Sequence, residues 1–263
     1  LKLELDLYII DAFAGKPFQG NPAAVCPLKE WLDDELMQKI ASQNNLSETA
    51  FFVPLEDGYH IRWYSPALEV DLCGHATMAS AFVLKEFLNY KKDRISFASK
   101  SGPLHVNFSR SGMIELDFPA NISTPSPDKE HVSSSLKIKI NELYETGVWY
   151  IAELPSADEV VKFQPDSELI KKLSKAIFVI TAPGKDCDFV SRCFGPRVGI
   201  PEDPVTGSSH CILVPFWSAR LGKRDLHAKQ LSVRGGELFC RLEGGRVKIS
   251  GFARTYLSGK IKV

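Results

Sequence analysis

Leu72-Cys73-Gly74-His75-Ala76, followed by an apolar run to Leu88, is the stretch on which the fold turns. Ala79, Ala81, Phe82, Val83, Leu84, Phe87 and Leu88 leave the segment hardly any polar face. The pattern predicts a helix over 74–89 that is buried on most sides. An altered copy, Val205-Thr206-Gly207-Ser208-Ser209, opens a second helix predicted over 208–221. The first N–H groups of a helix have no partner inside it, and its dipole places about half a positive charge at that end. Each glycine-opened start is therefore a place to receive an anion. Upstream, Arg62-x-x-x-Pro66 recurs as Arg192-x-x-x-Pro196. Paired helix starts and paired Arg-Pro patterns predict two similar domains with the site at their seam.

The totals fit that reading. A chain of 263 residues, 44% hydrophobic and 24% charged, is enough for one large domain or two smaller ones with a real core. Its 32 basic and 32 acidic residues cancel, and no basic block marks a nucleic-acid surface. The six cysteines form no CxxC pair and no metal-type spacing, so reduced thiols and no metal are expected. Charges at Lys2, Glu4 and Asp6 stand where a signal peptide needs its apolar core, and no apolar run reaches the roughly 18 residues of a membrane span. The expectation is a soluble cytoplasmic protein with no membrane or nucleic-acid partner.

Along the chain, strands are predicted over 5–13, 23–28, 50–53, 60–65, 94–98, 104–108 and 113–118. A helix follows Asp33 or Asp34 to about Ser42, with Leu36, Met37, Ile40 and Ala41 on one face. Gly20 and Asn21 suit a loop with unusual backbone angles. The Pro-rich stretch through 120–130 reads as a linker between an N-terminal domain, 1–119, and a C-terminal domain, 131–253. The tail 254–263 is read as rejoining the first domain. In the second half strands are predicted over 146–153, 160–164, 176–181, 187–194, 230–234, 237–242 and 246–250. A capped helix is predicted over 166–174. Pro215 should kink the second central helix. Each half is thus strands wrapped around one buried helix, an α+β arrangement with mixed or antiparallel sheets.

Several residues carry candidate chemistry. Glu48, flanked by Ala50, Phe51 and Phe52, is either an exposed carboxylate at a turn or a desolvated general acid/base. His75 is either a structural hydrogen-bonder or a ligand contact. Cys73 is either inert and buried or made reactive by the helix start. Glu202 and Asp203 complement a helix dipole, or Asp203 is a second acid/base or a histidine partner. Ser208 and Ser209 read as capping residues. No Ser-His-Asp order, Walker loop, GxGxxG or HExxH is present, which removes the usual support for hydrolases, nucleotide enzymes and zinc proteases.

Asp11-Ala-Phe, Gly20-Asn-Pro-Ala-Ala-Val, Asn45-Leu-Ser-Glu-Thr-Ala-Phe, Arg62-x-x-x-Pro66, Leu72-Cys-Gly-His-Ala-Thr, Glu202-Asp-Pro-Val-Thr-Gly-Ser-Ser-His and Arg234-Gly-Gly-Glu occur in order over most of the chain. Together they resemble the PhzF-like phenazine-biosynthesis family. The resemblance implies a diaminopimelate epimerase-like fold, two pseudo-symmetric α+β domains, each a barrel-like sheet around its helix. It implies a cofactor-independent isomerase in which Glu48 moves a proton between carbons of a small carboxylate substrate, with His75 and Asp203 as further catalytic residues. Gly74 and Gly207 would present backbone N–H groups to an anion, with Ser208, Ser209, Cys73 and Asn21 in the substrate-binding set. A homodimer is implied as well. Two other readings stay open: a thiol epimerase, opposed by Thr206 standing where a second cysteine is needed, and a ligand-binding protein without turnover.

Overall fold

The computed structural model describes residues 3–263; Leu1 and Lys2, at which the first domain is expected to begin, lie outside the described residues. The chain divides into two compact units, Leu1–Asp117 with Ser250–Val263, and Phe118–Ile249. Among the described residues no helix is long and apolar enough to cross a membrane, and no disulfide is formed.

In the first unit β1 (Glu4–Ala12) turns back antiparallel into β2 (Asn21–Pro27). The crossover helix α1 (Asp34–Asn44) then sets β3 (Glu48–Pro54) parallel to β2. β4 (Tyr59–Tyr64) and the short β5 (Glu69–Val70) follow antiparallel. A second crossover, α2 (Gly74–Glu86), places β6 (Arg94–Ala98) parallel to β4. β7 (Leu104–Phe108) and β8 (Ile114–Pro119) complete an antiparallel run. α1 covers one face of this sheet, burying Met37, Ile40 and Ala41 against Phe51, Tyr64 and Cys26. α2 is buried from His75 through Ala81 and again at Val83 and Leu84. Burying Met78, Val83 and Leu84 contributes about 1.5–3 kcal/mol each. Two of its hydroxyls are satisfied inside the helix: Thr77 Oγ1 donates to the Cys73 carbonyl at 2.6 Å and Ser80 Oγ to that of Ala76 at 2.8 Å.

The second unit repeats the scheme. β9 (Thr124–Pro125) and α3 (Lys129–Leu136) lead into the hairpin β10 (Glu142–Thr146) and β11 (Trp149–Glu153). α4 (Ala157–Lys162) and α5 (Ser167–Lys171) cross to β12 (Ile177–Pro183), parallel to β11, and β13 (Phe189–Gly195) and β14 (Ile200–Asp203) follow antiparallel. α6 (Gly207–Leu221) crosses to β15 (Asp225–Gln230), parallel to β13. β16 (Gly236–Glu243) and β17 (Arg246–Gly251) come next. The last strand, β18 (Ala253–Lys262), pairs antiparallel with β1 and so belongs to the first unit. From β1 and from β10 alike, the pairing senses run antiparallel, parallel, antiparallel, parallel, antiparallel.

The duplicated arginines explain themselves here. Arg62 holds Glu69 of β5 with two bonds of 2.8 and 2.9 Å, and Arg192 holds Glu202 of β14 with two of 2.7 and 2.9 Å. Each planar fork ties a short strand to the strand beside it. Arg192 also donates from Nη1 to the carbonyls of Val160 and Phe163, closing the C-terminal end of α4.

Four sequence expectations change. The predicted strand 160–164 is the end of α4, because Ser156 accepts from the Glu159 N–H and starts a helix before the apolar pair Val160-Val161 can extend. The strand 146–153 is a hairpin: Gly147, at φ 51°, turns the chain between Thr146 and Trp149, which pair. The strand 230–234 lies earlier, as β15, where Leu226, Ala228 and Gln230 alternate inward; beyond it the Ser232 hydroxyl donates to the Pro204 carbonyl and accepts from the Gly235 N–H. The stretch 120–130 carries β9, paired to Tyr144 and Glu145, and the first turn of α3. Pro215 is answered within the second unit: the Cys211 carbonyl, which a residue-215 N–H would have bonded, accepts from the Asn121 N–H at 2.9 Å while α6 continues to Leu221.

Two tests follow from this packing. Arg192 is 7% exposed, and Arg192→Met leaves Glu202 and two carbonyls without its five-donor fork. The expected loss is about 3 kcal/mol, against about 1 kcal/mol for Arg62→Met, whose acidic partners are wetter; equal urea midpoints for the two variants would contradict this. The central helices also bury one histidine each, His75 and His210, whose desolvation pushes both down to about 4. Folded, they stay neutral to about pH 4, whereas unfolded they take a proton near 6.5, so the unfolded chain binds more protons below that pH. Stability should therefore be full above pH 6.5 and fall by about 2 kcal/mol per histidine by pH 5. Chemical denaturation between pH 7.5 and 5 measures it, with His210→Gln reducing the slope by half; a flat profile refutes it.

Candidate active site

Gly20 sets up the first element of the site. It sits at φ 75°, where a Cβ would lie 2.2 Å from the Ala12 carbonyl oxygen, so only glycine turns the chain there. The turn delivers Asn21, fully buried, into β2 opposite Ala12. Two residues on, Ala23 pairs with Glu48, the first residue of β3. Side chains alternate across a strand, so Glu48 shares a face with Ala50 and Phe52. Its side chain is 12% exposed.

The start of α2 supplies the rest. Cys73 is its N-cap, and the Thr77 N–H closes the first turn on the Cys73 carbonyl, leaving the N–H groups of Gly74, His75 and Ala76 without helical partners. His75 Nε2 lies 3.3 Å from Glu48 Oε2. Its Nδ1 lies 3.4 Å from Asn21 Nδ2 and 3.4 Å from Cys73 Sγ. With Asn21 donating to Nδ1, the ring proton stands on Nε2, facing the carboxylate. Because burial holds His75 neutral at ordinary pH, the contact joins one charge to a dipole rather than two ions. Asn21, Glu48, Cys73, Gly74 and His75 are thus assembled within one unit. A carboxylate oxygen, a thiol sulfur and an imidazole nitrogen converge there, their donor atoms within 4.8 Å of one another.

In the second unit the other predicted residues gather at the start of α6. Asp203 Oδ2 accepts from the hydroxyl of Thr206, the N-cap, at 2.5 Å. Ser208 is exposed, while Ser209 is buried and donates to the Thr206 carbonyl at 2.9 Å. That carbonyl also lies 2.8 Å from His210 Nδ1. Of the two serines, only Ser208 is presented outward. A Cβ on Gly207 would meet nothing within 4 Å.

Sequence reasoning missed Gln230. Its Nε2 donates to the Asp203 carbonyl at 2.7 Å and to Thr206 Oγ1 at 3.1 Å, and its Oε1 accepts from the Thr206 N–H at 2.9 Å. One buried amide thereby fixes the whole Asp203–Thr206 turn. The signal available was a polar residue at an inward position of β15, hidden by the displaced strand prediction. Glu202, read as a dipole partner, is instead the Arg192 ligand described above.

The sequence profile of the phenazine biosynthesis-like proteins, PhzC-PhzF, matches residues 10–260. Two Pseudomonas aeruginosa proteins, each named an uncharacterized isomerase, are similar: one is 44% identical over 99% of this chain and 100% of its own length, the other 46% over 98% and 99%. A crystal structure of a PhzF family protein from Enterococcus faecalis superposes with a TM-score of 0.96 at 42% identity, over 99% of this chain and 100% of that one. The fold is therefore the diaminopimelate epimerase-like α+β arrangement that the motifs implied. The chain belongs to the PhzC-PhzF family of phenazine biosynthesis-like proteins.

Proposed function

We propose that this chain is an isomerase in which Glu48 moves a proton between carbon atoms of a small carboxylate-bearing substrate. The observation that carries the reading is a desolvated carboxylate at the start of β3, 3.3 Å from a neutral histidine on an open helix N-terminus. Glu48 takes the proton from an acidic carbon and returns it to another, the double duty of one general acid/base. His75 orients the carboxylate as a neutral hydrogen-bonding partner. The backbone N–H groups of Gly74 and His75 receive negative charge developing on the substrate. Within the second unit, Asp203 and Ser208, on the turn held by Gln230, and the backbone at Gly207 form a second place to receive an anionic group.

The internal repeat supports one acid/base over two opposed thiols. Phe51 faces Arg62 across β3 and β4, and Ile180 faces Arg192 across β12 and β13. Counting back three residues from each, Glu48 corresponds to Ile177. Cys73 corresponds to Thr206, one residue ahead of each glycine. Neither reactive group has a twin.

Glu48→Gln keeps the shape and removes the base. Solvent-deuterium incorporation into a panel of cyclic and amino-acid-derived acids should fall by roughly 10²–10⁴; near wild-type exchange removes Glu48 from the mechanism. Gly207→Ala adds a methyl to open space in a helix, so stability should hold within about 1 kcal/mol. KM for the carboxylate should nevertheless rise roughly tenfold, about 1.4 kcal/mol. An unchanged KM would place the ligand elsewhere.

A further inference from the structure

We propose that Glu48, Cys73 and His75 bind one thiophilic divalent cation of the Zn²⁺ class, and that its binding switches proton transfer off. The inhibitory half of this rests on the acid/base reading of Glu48; the binding half does not.

The donor set is an oxygen, a sulfur and a nitrogen, the combination that suits zinc. Zinc bonds of about 2.0–2.3 Å at tetrahedral angles set donor atoms roughly 3.3–3.6 Å apart. Here Nε2 of His75 is 3.3 Å from the Glu48 carboxylate, and its Nδ1, on the other side of the ring, is 3.4 Å from the thiol, so the thiol must swing toward Nε2 to complete one set. All three donor atoms lie within 4.8 Å of one another, so a cation is enclosed after small side-chain rotations. His75 is 7% exposed, and its Nε2 lies 3.3 Å from Glu48 Oε2. Binding through Nε2 moves the ring proton to Nδ1, so the imidazole donates a lone pair and keeps its proton. Only Cys73 gives up a proton: its S–H bond breaks, the sulfur pair goes to the metal, and the proton leaves to buffer.

Charge balance favours the same ion. A divalent cation with one thiolate and one carboxylate sums to zero, which makes the ion tolerable in so buried a place. Mg²⁺ and Ca²⁺ fit poorly, because they take six or more ligands, mostly oxygens. The other central helix provides the internal control. At the matching positions it has Ile177, Thr206 and Ser208, which supply no such set, so one site per chain is expected. A Glu48 oxygen pair shared with a metal is no longer free to accept a proton from carbon, which is why the ion inhibits.

The test uses Co²⁺ added to the metal-free full chain as a spectroscopic probe. A thiolate-to-cobalt charge-transfer band in the near ultraviolet should saturate at one equivalent, and added Zn²⁺ should bleach it. Cys73→Ser should abolish the band, and Glu48→Gln should weaken Co²⁺ binding at least tenfold. In the unaltered chain Zn²⁺ should also protect Cys73 from alkylation, read by peptide mass spectrometry, which serves if Cys73→Ser does not fold. Zn²⁺ should suppress deuterium exchange and a chelator should restore it. A missing band at saturating Co²⁺, a band that persists in Cys73→Ser, or undiminished exchange in the Zn²⁺-saturated protein overturns the proposal. Should Glu48→Gln exchange normally while the Co²⁺ band stands, the acid/base reading fails and the metal site survives.

Discussion

A helix without a polar face must be enclosed, and both units of this protein are consequences of that constraint. α2 buries nine residues and α6 ten, including His75 and His210. Enclosure needs strands on several sides, and each unit supplies them by two crossovers that set parallel neighbours among antiparallel ones. It also favours partners for the polar groups the helix buries. Thr77 and Ser80 turn back on their own helix, and Asn121 covers the carbonyl that Pro215 leaves open in α6. What an enclosed helix can still offer outward is its first turn. In the proposed reading, function lies at those first turns, at Gly74-His75 and at Gly207-Ser208.

The duplication keeps what the scaffold needs and varies what chemistry needs. Both copies retain the arginine fork on a short strand, the glycine that opens the helix, and the order of pairing senses. The carboxylate and thiol of the first copy become Ile177 and Thr206 in the second. In their place the second copy gains Gln230, whose amide makes three hydrogen bonds to one turn. One unit thus carries the carboxylate and the thiol, while the other carries a backbone turn tied by a buried amide.

Much of this was legible in the sequence because it depends on local pattern. The buried helices show in their missing polar faces, and the repeat shows in Arg62 and Arg192. Glu48, Cys73 and His75 were singled out, and the structure assembles them with Asn21. What stayed hidden depends on partners distant in sequence or on competition between local signals. Val160-Val161 favours a strand until Ser156 caps a helix ahead of it. Gly147 ends a strand that composition alone would continue. Gln230 acts on a turn more than twenty residues away, and nothing beside it in the sequence says so. Ser209 looks as outward as Ser208 until the helix phase turns its hydroxyl to Thr206.

The treatment of positive charge ties scaffold to chemistry. A basic side chain beside Glu48 would hold an anionic substrate firmly but would also stabilise the carboxylate and lower its basicity. Arg62 stands close in the chain, yet the register sends it to the opposite face of the sheet: it pairs across from Phe51, three residues from Glu48, and strand alternation makes that an odd step. There it is occupied by Glu69 and Asp34. His75, 3.3 Å from Glu48, is kept neutral by burial. In the proposed reaction the positive character facing the substrate is then the end of the α2 dipole, roughly half a charge spread over N–H groups. That is enough to orient a carboxylate and too diffuse to disarm the base. The fold separates the arginine that holds the sheet together from the helix end proposed to meet the ligand, and both follow from one short segment of β4 and the turn after it.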